Sequence, residues 1–502
     1  MRKLKPVRTV LTGVALIAAV AGLPALGQSS PYGAEGGSIE TPRPINPAAS
    51  TTNPSARATQ IENPYLGSVP TGKVTDGVLE LTLQQAVDRG LKYNLGLIDS
   101  TQEDAEARAQ RLRALAALLP HIEARAQQGF DDISFKEIGL KLPPIPGFPG
   151  LPPTTGGFGY QDARIAASQS IFNLELQNRY RAQKAFASVS ELNEKDARDV
   201  VVFAVGAAFF QVVASNARVQ TVQAQLASAK ELDDQLGNQF KSEVSPEIDS
   251  IRARVERQTA EQRLVNATND LEKDKLTLGR IIGLPIEQQF EVAGAKDYYP
   301  LPKPAVDLMT AQEAQRTRYD LASAKAGIRA AELNLNAEKA QRMPSISVVA
   351  DYGGGGTNIA NFNQVYSVSA GISVPIFTGG RIKADIDQAR ANLTRRQAEY
   401  QDLEGRVKYD VRVAQLDATA SESSVKVATQ NKALAARALE QSQDRYSNGV
   451  TNYLEVVEAQ ESVAAADENY IQSLYSFNVS KIALARAMGA AETRLQDLFG
   501  GN

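Results

Sequence analysis

Two long segments of this chain are copies of one another, and this duplication limits the folds open to it. The segment QFKSEVSPEIDSIRAR at 239–254 repeats the pattern of RYSNGVTNYLEVVEAQ at 445–460. Each residue of the second segment stands 206 positions after its counterpart, and the same offset relates Leu278 to Leu484 without a gap. The clearest matched pairs are Phe240 with Tyr446, Val244 with Val450, Ser245 with Thr451, Ile248 with Leu454, Asp249 with Glu455, and Ala253 with Ala459. Such a repeat predicts two copies of one structural unit.

Each copy contains a stretch that favours a very long helix. Residues 174–240 contain no proline and two glycines, and residues 381–446 contain no proline and one glycine. About 65 residues at roughly 1.5 Å each give a helix on the order of 100 Å long. Apolar residues recur in steps of three and four and continue onto the returning helix: Val219, Val222, Leu226, Ala229, Leu232, Leu236, Phe240, Ile248, Ile251 and Val255. The pattern predicts coiled-coil hairpins with tips at 240–247 and 446–453.

Between the helical stretches the period of the apolar residues changes to two. This alternation predicts β-hairpins at 120–172 and 344–377, each strand having one apolar face and one face of small polar or charged groups. The strands have about the length that crosses a bilayer when tilted. A half-buried strand of a soluble sheet has the same pattern, but the export signal described next favours membrane strands. We expect the glycine run at 353–356 to form a hairpin turn, because it lacks the lysine and the helix of a phosphate-binding loop.

The N-terminus resembles a secretory signal. Arg2, Lys3, Lys5 and Arg8 precede an apolar run at 10–21, and small residues at 25–27 offer a cleavage site. No other stretch looks apolar enough for a transmembrane helix, so we expect membrane insertion through β-strands. The chain has no cysteine, which excludes disulfides and an acylated lipoprotein cysteine.

These patterns predict an order of segments along the chain. They are a signal peptide (1–27), a disordered leader rich in Pro, Ser and Thr (28–78), a first repeat (79–283), a linker (284–305), a second repeat (306–490) and a C-terminal tail (491–502).

Composition argues against several classes of function. The formal net charge is −3, and no clustered basic face suggests a nucleic-acid partner. His121 is the only histidine, so a zinc site or a Ser/His catalytic pair is not expected. We therefore predict no enzyme activity, no metal site and no cofactor.

Four strands per chain cannot close a sheet in lipid. Unpaired edges there leave unsatisfied backbone groups that cost several kcal/mol each, so closure must occur between chains. Two chains would give a barrel filled by side chains, whereas three chains would leave an aqueous lumen. The small polar faces of the strands fit such a lumen and favour three chains, a homotrimer whose apolar faces would contact membrane lipid.

The sequence resembles the TolC-like outer-membrane efflux protein family. The resemblance covers about residues 79–490 and rests on the duplication, on the tip segment at 445–460, on VPIFTGGRIKADIDQARA at 374–391 and on SIFNLELQNRYRAQKA from Ser170. It implies a mainly α fold with membrane β-strands: a duplicated strand–helix repeat whose trimer forms a 12-stranded β-barrel in the outer membrane, continued by an α-helical barrel in the periplasm. It also implies a closed periplasmic tip, a periplasmic adaptor (membrane fusion) protein and an inner-membrane pump.

The resemblance also assigns residues at the tips. It implies that Glu455 and Glu458 narrow the pore as an acidic ring, and the first copy offers Asp249 and Arg252 at these positions. It further implies that Tyr446 helps to hold the tip shut, with Thr451 standing where a basic partner is usual. Solvated helix surface is the alternative for all of these acids.

Adaptor docking is implied at the turns themselves. The turn of the second copy supplies Asn448, Gly449 and Val450, and that of the first copy supplies Glu243 and Val244. Because Glu243 replaces the usual glycine, we expect the docking geometry to differ between the two turns.

The expected function is that of an exit duct for small molecules such as drugs, toxic compounds or metal ions. A type I protein-secretion channel is an alternative, and no residue of the sequence distinguishes it from a small-molecule exit duct. A trimeric coiled-coil spacer or adhesin is more distant, because such anchors usually lie at one end of a chain, whereas these hairpins interrupt two helical halves.

Overall fold

The computed structural model describes residues 63–75, 77–134, 153–293, 311–358 and 361–499. The predictions for the signal peptide, for the leader up to residue 62 and for linker residues 294–305 lie outside the described residues, as do residues 135–152 of the first predicted β-hairpin.

The elements of the first copy follow one another in a strand–helix order. They are β1 (Leu79–Leu81), α1 (Leu83–Tyr93), α2 (Leu95–Ala116), β2 (His121–Asp131), β3 (Phe158–Phe172), α3 (Leu174–Lys241) and α4 (Glu247–Ile282). A strand, β4 (Phe290–Val292), then leads to the second copy: α5 (Ala311–Thr317), α6 (Tyr319–Ala340), β5 (Ser345–Gly356), β6 (Asn363–Ser373), α7 (Arg381–Ser447) and α8 (Tyr453–Ala487). The last element is α9 (Ala491–Phe499). Both long helices, α3 and α7, end one residue beyond their predicted ends.

Local sequence explains where the helices begin and end. Thr82 and Gln85 form a reciprocal capping box at the start of α1, and Asn173 caps α3 through its side chain. The returning helices end just before Gly283 and Gly489, which have φ values of 73° and 64°. These glycines are 206 positions apart, so the duplication extends to the helix stops.

The two hairpins join in one antiparallel sheet of order β2-β3-β5-β6. Ala124 pairs with Ile165, and Ile165 pairs with Tyr352, so apolar residues form rows on one face. The other face carries charge: the Arg164 guanidinium lies 2.8 Å from Asp162 and 3.5 Å from Asp351. The predicted alternation therefore separates an apolar face from a polar face in this sheet.

The prediction for the glycine run is wrong. Gly353 and its three successors are the last residues of β5 and pair with residues 161–164 of β3. A Cβ on Gly353 would lie 2.1 Å from the Ala163 carbonyl oxygen. Glycine is thus used here because another strand approaches closely, and the chain reverses only after the run.

The helical body has its core along α3, and this helix is more apolar than expected from the sequence. α3 contains a stretch that is long and apolar enough to cross a membrane by length and composition. In the fold, Val201, Val205 and Phe209 of this helix are fully buried. Gly206 lies against α8, since a Cβ there would be 2.4 Å from Ile482 Cδ1. Packing against neighbouring helices accounts for the apolar composition.

The predicted seam is correct on α3 apart from Phe240, which is 41% exposed, and it is wrong on α4. Leu226, Ala229 and Leu236 are buried, but Ile248, Ile251 and Val255 are 49%, 48% and 56% exposed. Small residues of α4 face α3 instead: Ala253, Ala260 and Ala267. Alanines let the two helices approach closely, and the larger side chains form an apolar stripe on the outside of the hairpin.

The leader and the linker carry more structure than predicted. A 3-10 helix (Pro64–Leu66) precedes backbone contacts with the body: the Asn94 side-chain amide donates to the Tyr65 carbonyl at 2.8 Å and the Val69 amide donates to the Tyr93 carbonyl at 3.0 Å. In the linker, β4 pairs in parallel with β1. These contacts join residues far apart in sequence, which local composition does not reveal.

The predicted tail contains α9, which packs on the body. The Phe499 ring lies 4.8 Å from the ring of Phe210, and the Asp199 carboxylate accepts the backbone amide of Glu492 at 3.0 Å. Lys481 is fully buried beneath the helix and donates to the Leu498 carbonyl at 3.2 Å.

Candidate pore and docking site at the helical tips

The two tip turns have the same backbone hydrogen bonds. In the first, the amides of Glu243 and Val244 donate to the carbonyls of Phe240 and Gln239, each at 2.9 Å. In the second, the amides of Gly449 and Val450 donate to the carbonyls of Tyr446 and Arg445, also at 2.9 Å. This pattern is the Schellman type of helix ending, and it recurs at the offset of 206 residues.

The residue at the centre of each turn has a left-handed backbone conformation. Glu243 has a φ of 59° and Gly449 has a φ of 69°, and Glu243 is the only described residue other than glycine with a positive φ. The two turns therefore share one backbone conformation, and the expected difference in docking geometry stays a prediction. The first turn differs from the second in carrying an acidic side chain and some backbone strain. Val244 and Val450 are both exposed, so each turn presents an apolar residue at its end.

A pair of tyrosines lies where the two hairpins meet. The rings of Tyr446 and Tyr453 are 5.7 Å apart, and Tyr453 packs in a cluster with Leu236 and Ala253 of the first hairpin. Burial raises the pKa of Tyr446, the charge of Asp249 raises it further, and a hydrogen bond with Ser245 opposes the shift. Tyr446 therefore connects the second hairpin to the first.

Tyr453 is 1% exposed, and its hydroxyl has no hydrogen-bond partner among the described residues. Burial strongly raises the pKa of this hydroxyl. The tip is thus held by an aromatic contact rather than by a polar network alone.

Glu455 is held by neighbours in its own hairpin. The Thr451 hydroxyl donates to its carboxylate, and the Arg445 Nε lies 3.5 Å from Glu455 Oε1. The Glu455 amide also donates to the side chain of Asn452, which caps α8. Thr451, which stands where the resemblance implies a basic partner, therefore contacts Glu455. Glu458, one helical turn further on, is exposed.

In the first copy the charges pair with each other. Arg252 Nη1 lies 3.7 Å from Asp249 Oδ1, so the arginine partly neutralises the acid that corresponds to Glu455. The structure places Asp249 beside Tyr446 and Glu455 beside Arg445. The four predicted ring residues thus form two separate groups within one chain.

Other candidate chemistry is limited. Within the described ranges, no group of three or more His, Cys, Asp or Glu side chains could hold a metal ion. His121 is exposed at the start of β2, with its Nε2 4.0 Å from Glu123.

Comparison with known proteins places these features in a family. Residues 310–490 match the family model described as "Outer membrane efflux protein". The chain is 22% identical over 413 residues to the outer membrane protein TolC of Escherichia coli, which covers 77% of this chain and 83% of TolC. The chain is therefore similar to the outer membrane efflux protein family, whose model matches its second copy.

Two further comparisons support this similarity. The chain is 21% identical over 338 residues to the pyoverdine export outer membrane protein OpmQ of Pseudomonas putida, and the match covers 65% of this chain and 70% of OpmQ. Its fold matches the crystal structure of the CmeC outer membrane channel of Campylobacter jejuni with a TM-score of 0.70 at 17% identity, covering 92% of this chain and 98% of that one.

Sequence reasoning missed two residues at the tip. Tyr453 is the largest fully buried side chain of the tip, and Arg445 reaches Glu455 across the turn. Both lie inside the quoted tip motif. An aromatic at the first position of a returning helix is a signal that could have indicated the Tyr446 contact.

Proposed function

We propose that three copies of this outer-membrane efflux channel protein form one exit duct for small molecules. The observation that carries the proposal is the sheet edge. Within the described part of the chain, β2 and β6 each pair on one side only. Open edges are strongly unfavourable in lipid, so β6 of one chain pairs with β2 of the next. Three chains then supply twelve strands, enough to enclose water.

The two faces of the sheet fit this arrangement. Ile122, Tyr366 and Val368 are largely exposed in the single chain and lie on the apolar face, where lipid covers them. The opposite face, with Arg164, Asp162 and Asp351, lines the lumen. Charged groups there remain hydrated, as in other water-filled barrels.

The helical hairpins continue the duct into the periplasm. The exposed stripe of Ile248, Ile251 and Val255 on α4 supports this, because a row of large apolar residues on a long helix is typical of a surface covered by another helix. We propose that a helical hairpin of the neighbouring subunit packs on this apolar stripe.

The tip is the proposed constriction. Glu455 and Glu458 lie one helical turn apart on α8, so three chains would bring six carboxylates to one narrow end. A ring of carboxylates attracts cations and repels anions. Asp249 contributes less to the ring because Arg252 pairs with it.

The exposed ends of the turns are the proposed docking surface. Glu243 and Val244 of one turn, and Asn448, Gly449 and Val450 of the other, would contact a periplasmic adaptor that links the duct to an inner-membrane pump. The pump supplies the energy, since the duct itself only conducts.

Ion conductance tests the constriction. In planar bilayers under a salt gradient, Glu455→Ala combined with Glu458→Ala should reduce cation selectivity, because the ring charge is removed. The current through the closed channel should rise, because the contacts of Glu455 with Thr451 and Arg445 are lost.

The matched control is Glu272→Ala. Glu272 is an exposed acid on α4 far from the tip, and its loss should leave both quantities unchanged. Unchanged selectivity in the double variant would remove these residues from the pore, and a purified wild-type protein without conductance would refute the duct.

Crosslinking in living cells tests the docking surface. A photoreactive amino acid at Asn448 or at Glu243 should capture a periplasmic adaptor. Capture from an exposed position on the helical shaft, such as Gln472, serves as the control. Equal capture from the shaft and the turns would contradict docking at the tips.

A further inference from the structure

The two β-hairpins of the chain are equivalent residue by residue, although their loops differ in length. The pairs at the two ends of the hairpins are His121 with Ser168 and Asp131 with Phe158 in the first hairpin, and Ser345 with Ser373 and Gly355 with Asn363 in the second. At both ends the first strands correspond at an offset of 224 residues and the second strands at an offset of 205. β5 is therefore the counterpart of β2, and β6 is the counterpart of β3.

The second strand of the first hairpin is longer than its counterpart. β3 continues beyond Ser168 to Phe172, and this extension pairs with β5 alone. The equivalent residues of the second copy, 374–377, follow the end of β6 and have no strand structure. Their sequence is similar, since Ile376 and Phe377 correspond to Ile171 and Phe172. The segment thus forms a strand where a further strand lies beside it.

The segment without a neighbouring strand exposes large apolar side chains. Ile376 is 96% exposed and Phe377 is 89% exposed, whereas their counterparts Ile171 and Phe172 are 58% and 42% exposed. Pairing with β5 therefore accompanies the loss of about half of the exposed surface of the phenylalanine. Contiguous apolar residues exposed to this extent are typical of a surface that a partner covers.

The contact between the hairpins within one chain provides a template for the contact between chains. Closure of a barrel fixes the stagger of its strands, and equivalent hairpins can share that stagger evenly. The β3–β5 contact then has the same geometry as the contact of β6 with β2 of the next chain. All neighbouring strands of the sheet are antiparallel, so β6 runs antiparallel to that β2. Residues 374–377 consequently lie beside the beginning of β2.

The two offsets convert the β3–β5 register into a register between chains. The pairs between β6 and β2 of the next chain are Gly371 with Gln127, Ser373 with Arg125, Val374 with Ala124, and Phe377 with Ile122. This register places polar residues opposite polar or small ones and apolar residues opposite apolar ones. A shift by one residue would bring Arg125 to the apolar face.

We propose that residues 374–377 become a strand extension when a second copy of the chain binds, by pairing with the beginning of that copy's β2 in this register. Pro375 fits the extension, because it corresponds to Ser170, where the β3 register shifts before Phe172, and prolines in strands occur at edges and bulges. The extension also covers Phe377 with Ile122, which is largely exposed in the single chain. The inference rests on the proposed trimer and adds to it the register and the segment that completes the interface.

Disulfide crosslinking tests the register, because the natural chain has no cysteine. Residues directly opposite one another lie within disulfide reach, whereas residues displaced by two positions do not. Oxidation of the variant that combines Ser373→Cys with Arg125→Cys should therefore give a covalent trimer in denaturing gels. Within one chain these positions are three strand spacings apart, roughly 14 Å, so the bond can form only between chains.

A second pair and two displaced pairs complete the test. Gly371→Cys with Gln127→Cys should also give the covalent trimer, and a Cβ at Gly371 has no atom within 4 Å. Ser373→Cys combined with Glu123→Cys or with Gln127→Cys is the matched control, and the covalent trimer should be lost in both combinations.

Hydrogen exchange tests the strand extension. In the trimer, the peptide 374–378 should exchange as slowly as its counterpart 169–173, because one neighbouring strand then holds each of them. Exchange of 374–378 at the rate of an unstructured chain would overturn the extension and would leave lipid as the cover of Ile376 and Phe377.

Light scattering of the purified protein in detergent separates this inference from the proposed trimer. A monomer would refute both. A trimer that forms neither predicted crosslink, or that forms a displaced one in preference, would overturn the register and leave the proposed duct intact.

Discussion

The left-handed residue of each tip turn offers a reciprocal test of the turn geometry. Glu243 and Gly449 occupy equivalent positions, with φ values of 59° and 69°. No atom lies within 4 Å of a Cβ built on Gly449, so a side chain there meets open space and only the backbone conformation matters. That conformation costs an L-residue about 1–2 kcal/mol, and the greater freedom of glycine in the unfolded chain offsets roughly 0.5–1 kcal/mol. The expected net effect is about 1 kcal/mol in each direction.

Hydrogen exchange measures this effect where it acts. The amides of Val244 and Val450 close the two turns and exchange only when the turns open. Because about 1 kcal/mol corresponds to about fivefold, Glu243→Gly should slow exchange in the first turn by about fivefold. Gly449→Glu should accelerate exchange in the second turn by about the same factor.

The charge-neutral variant Glu243→Gln separates strain from electrostatics. Gln retains the strained conformation and the size of the side chain, so exchange should stay at the wild-type rate. The strain argument is refuted if Gln slows exchange as much as Gly does, or if the reciprocal variants shift their turns in the same direction.

Three further predictions concern the body and the tip. Burial lowers the pKa of Lys481 to about 7, below its unfolded value of 10.5. The unfolded chain therefore binds more protons than the folded chain between these values, and the free energy of unfolding should rise from pH 7 to about 10, with a limiting slope of about 1.4 kcal/mol per pH unit. Lys481→Met should flatten this pH dependence in denaturation curves. Gly206→Ala should destabilise the protein by about 1–3 kcal/mol, because the new Cβ would lie 2.4 Å from Ile482 Cδ1; the measurement is a lower Tm. Gly405→Ala is the control and should leave Tm unchanged, because no atom lies within 4 Å of a Cβ at that position. Arg252→Glu should increase cation selectivity in bilayers, and an unchanged selectivity would place this position outside the pore.

The long elements could be predicted because their signals are local. A stretch without proline and with few glycines predicts α3 and α7 directly, and strict alternation predicts the strands that form the sheet. Both tips share one turn type even where Glu243 replaces glycine, because the surrounding hydrogen bonds hold the strained residue in place.

The errors arise where the neighbour of a residue is far away in sequence. Periodicity assigned Ile248 and Ile251 to the inner face of the hairpin. However, a spacing of three or four residues fits two adjacent faces of a helix, and in α4 the alanines occupy the face that packs against α3. The role of the glycine run depends on strand β3, about 190 positions earlier. The burial of Tyr453 likewise depends on Leu236 and Ala253 of the other hairpin, although its place at the start of a returning helix is a local signal of the Tyr446 contact.

The divergence between the two copies bears on the symmetry of the tip. In the first copy, Asp249 and Arg252 bring opposite charges to neighbouring turns of the helix, while the second copy has Glu455 and Glu458 at the same positions. A trimer of identical backbone hairpins would have nearly sixfold geometry at its end, because both turns have the same hydrogen bonds. Its charge would repeat only three times, with acidic hairpins alternating with nearly neutral ones. A partner that contacts backbone and apolar groups could therefore treat the six turns alike, whereas ions crossing the constriction would meet a threefold field.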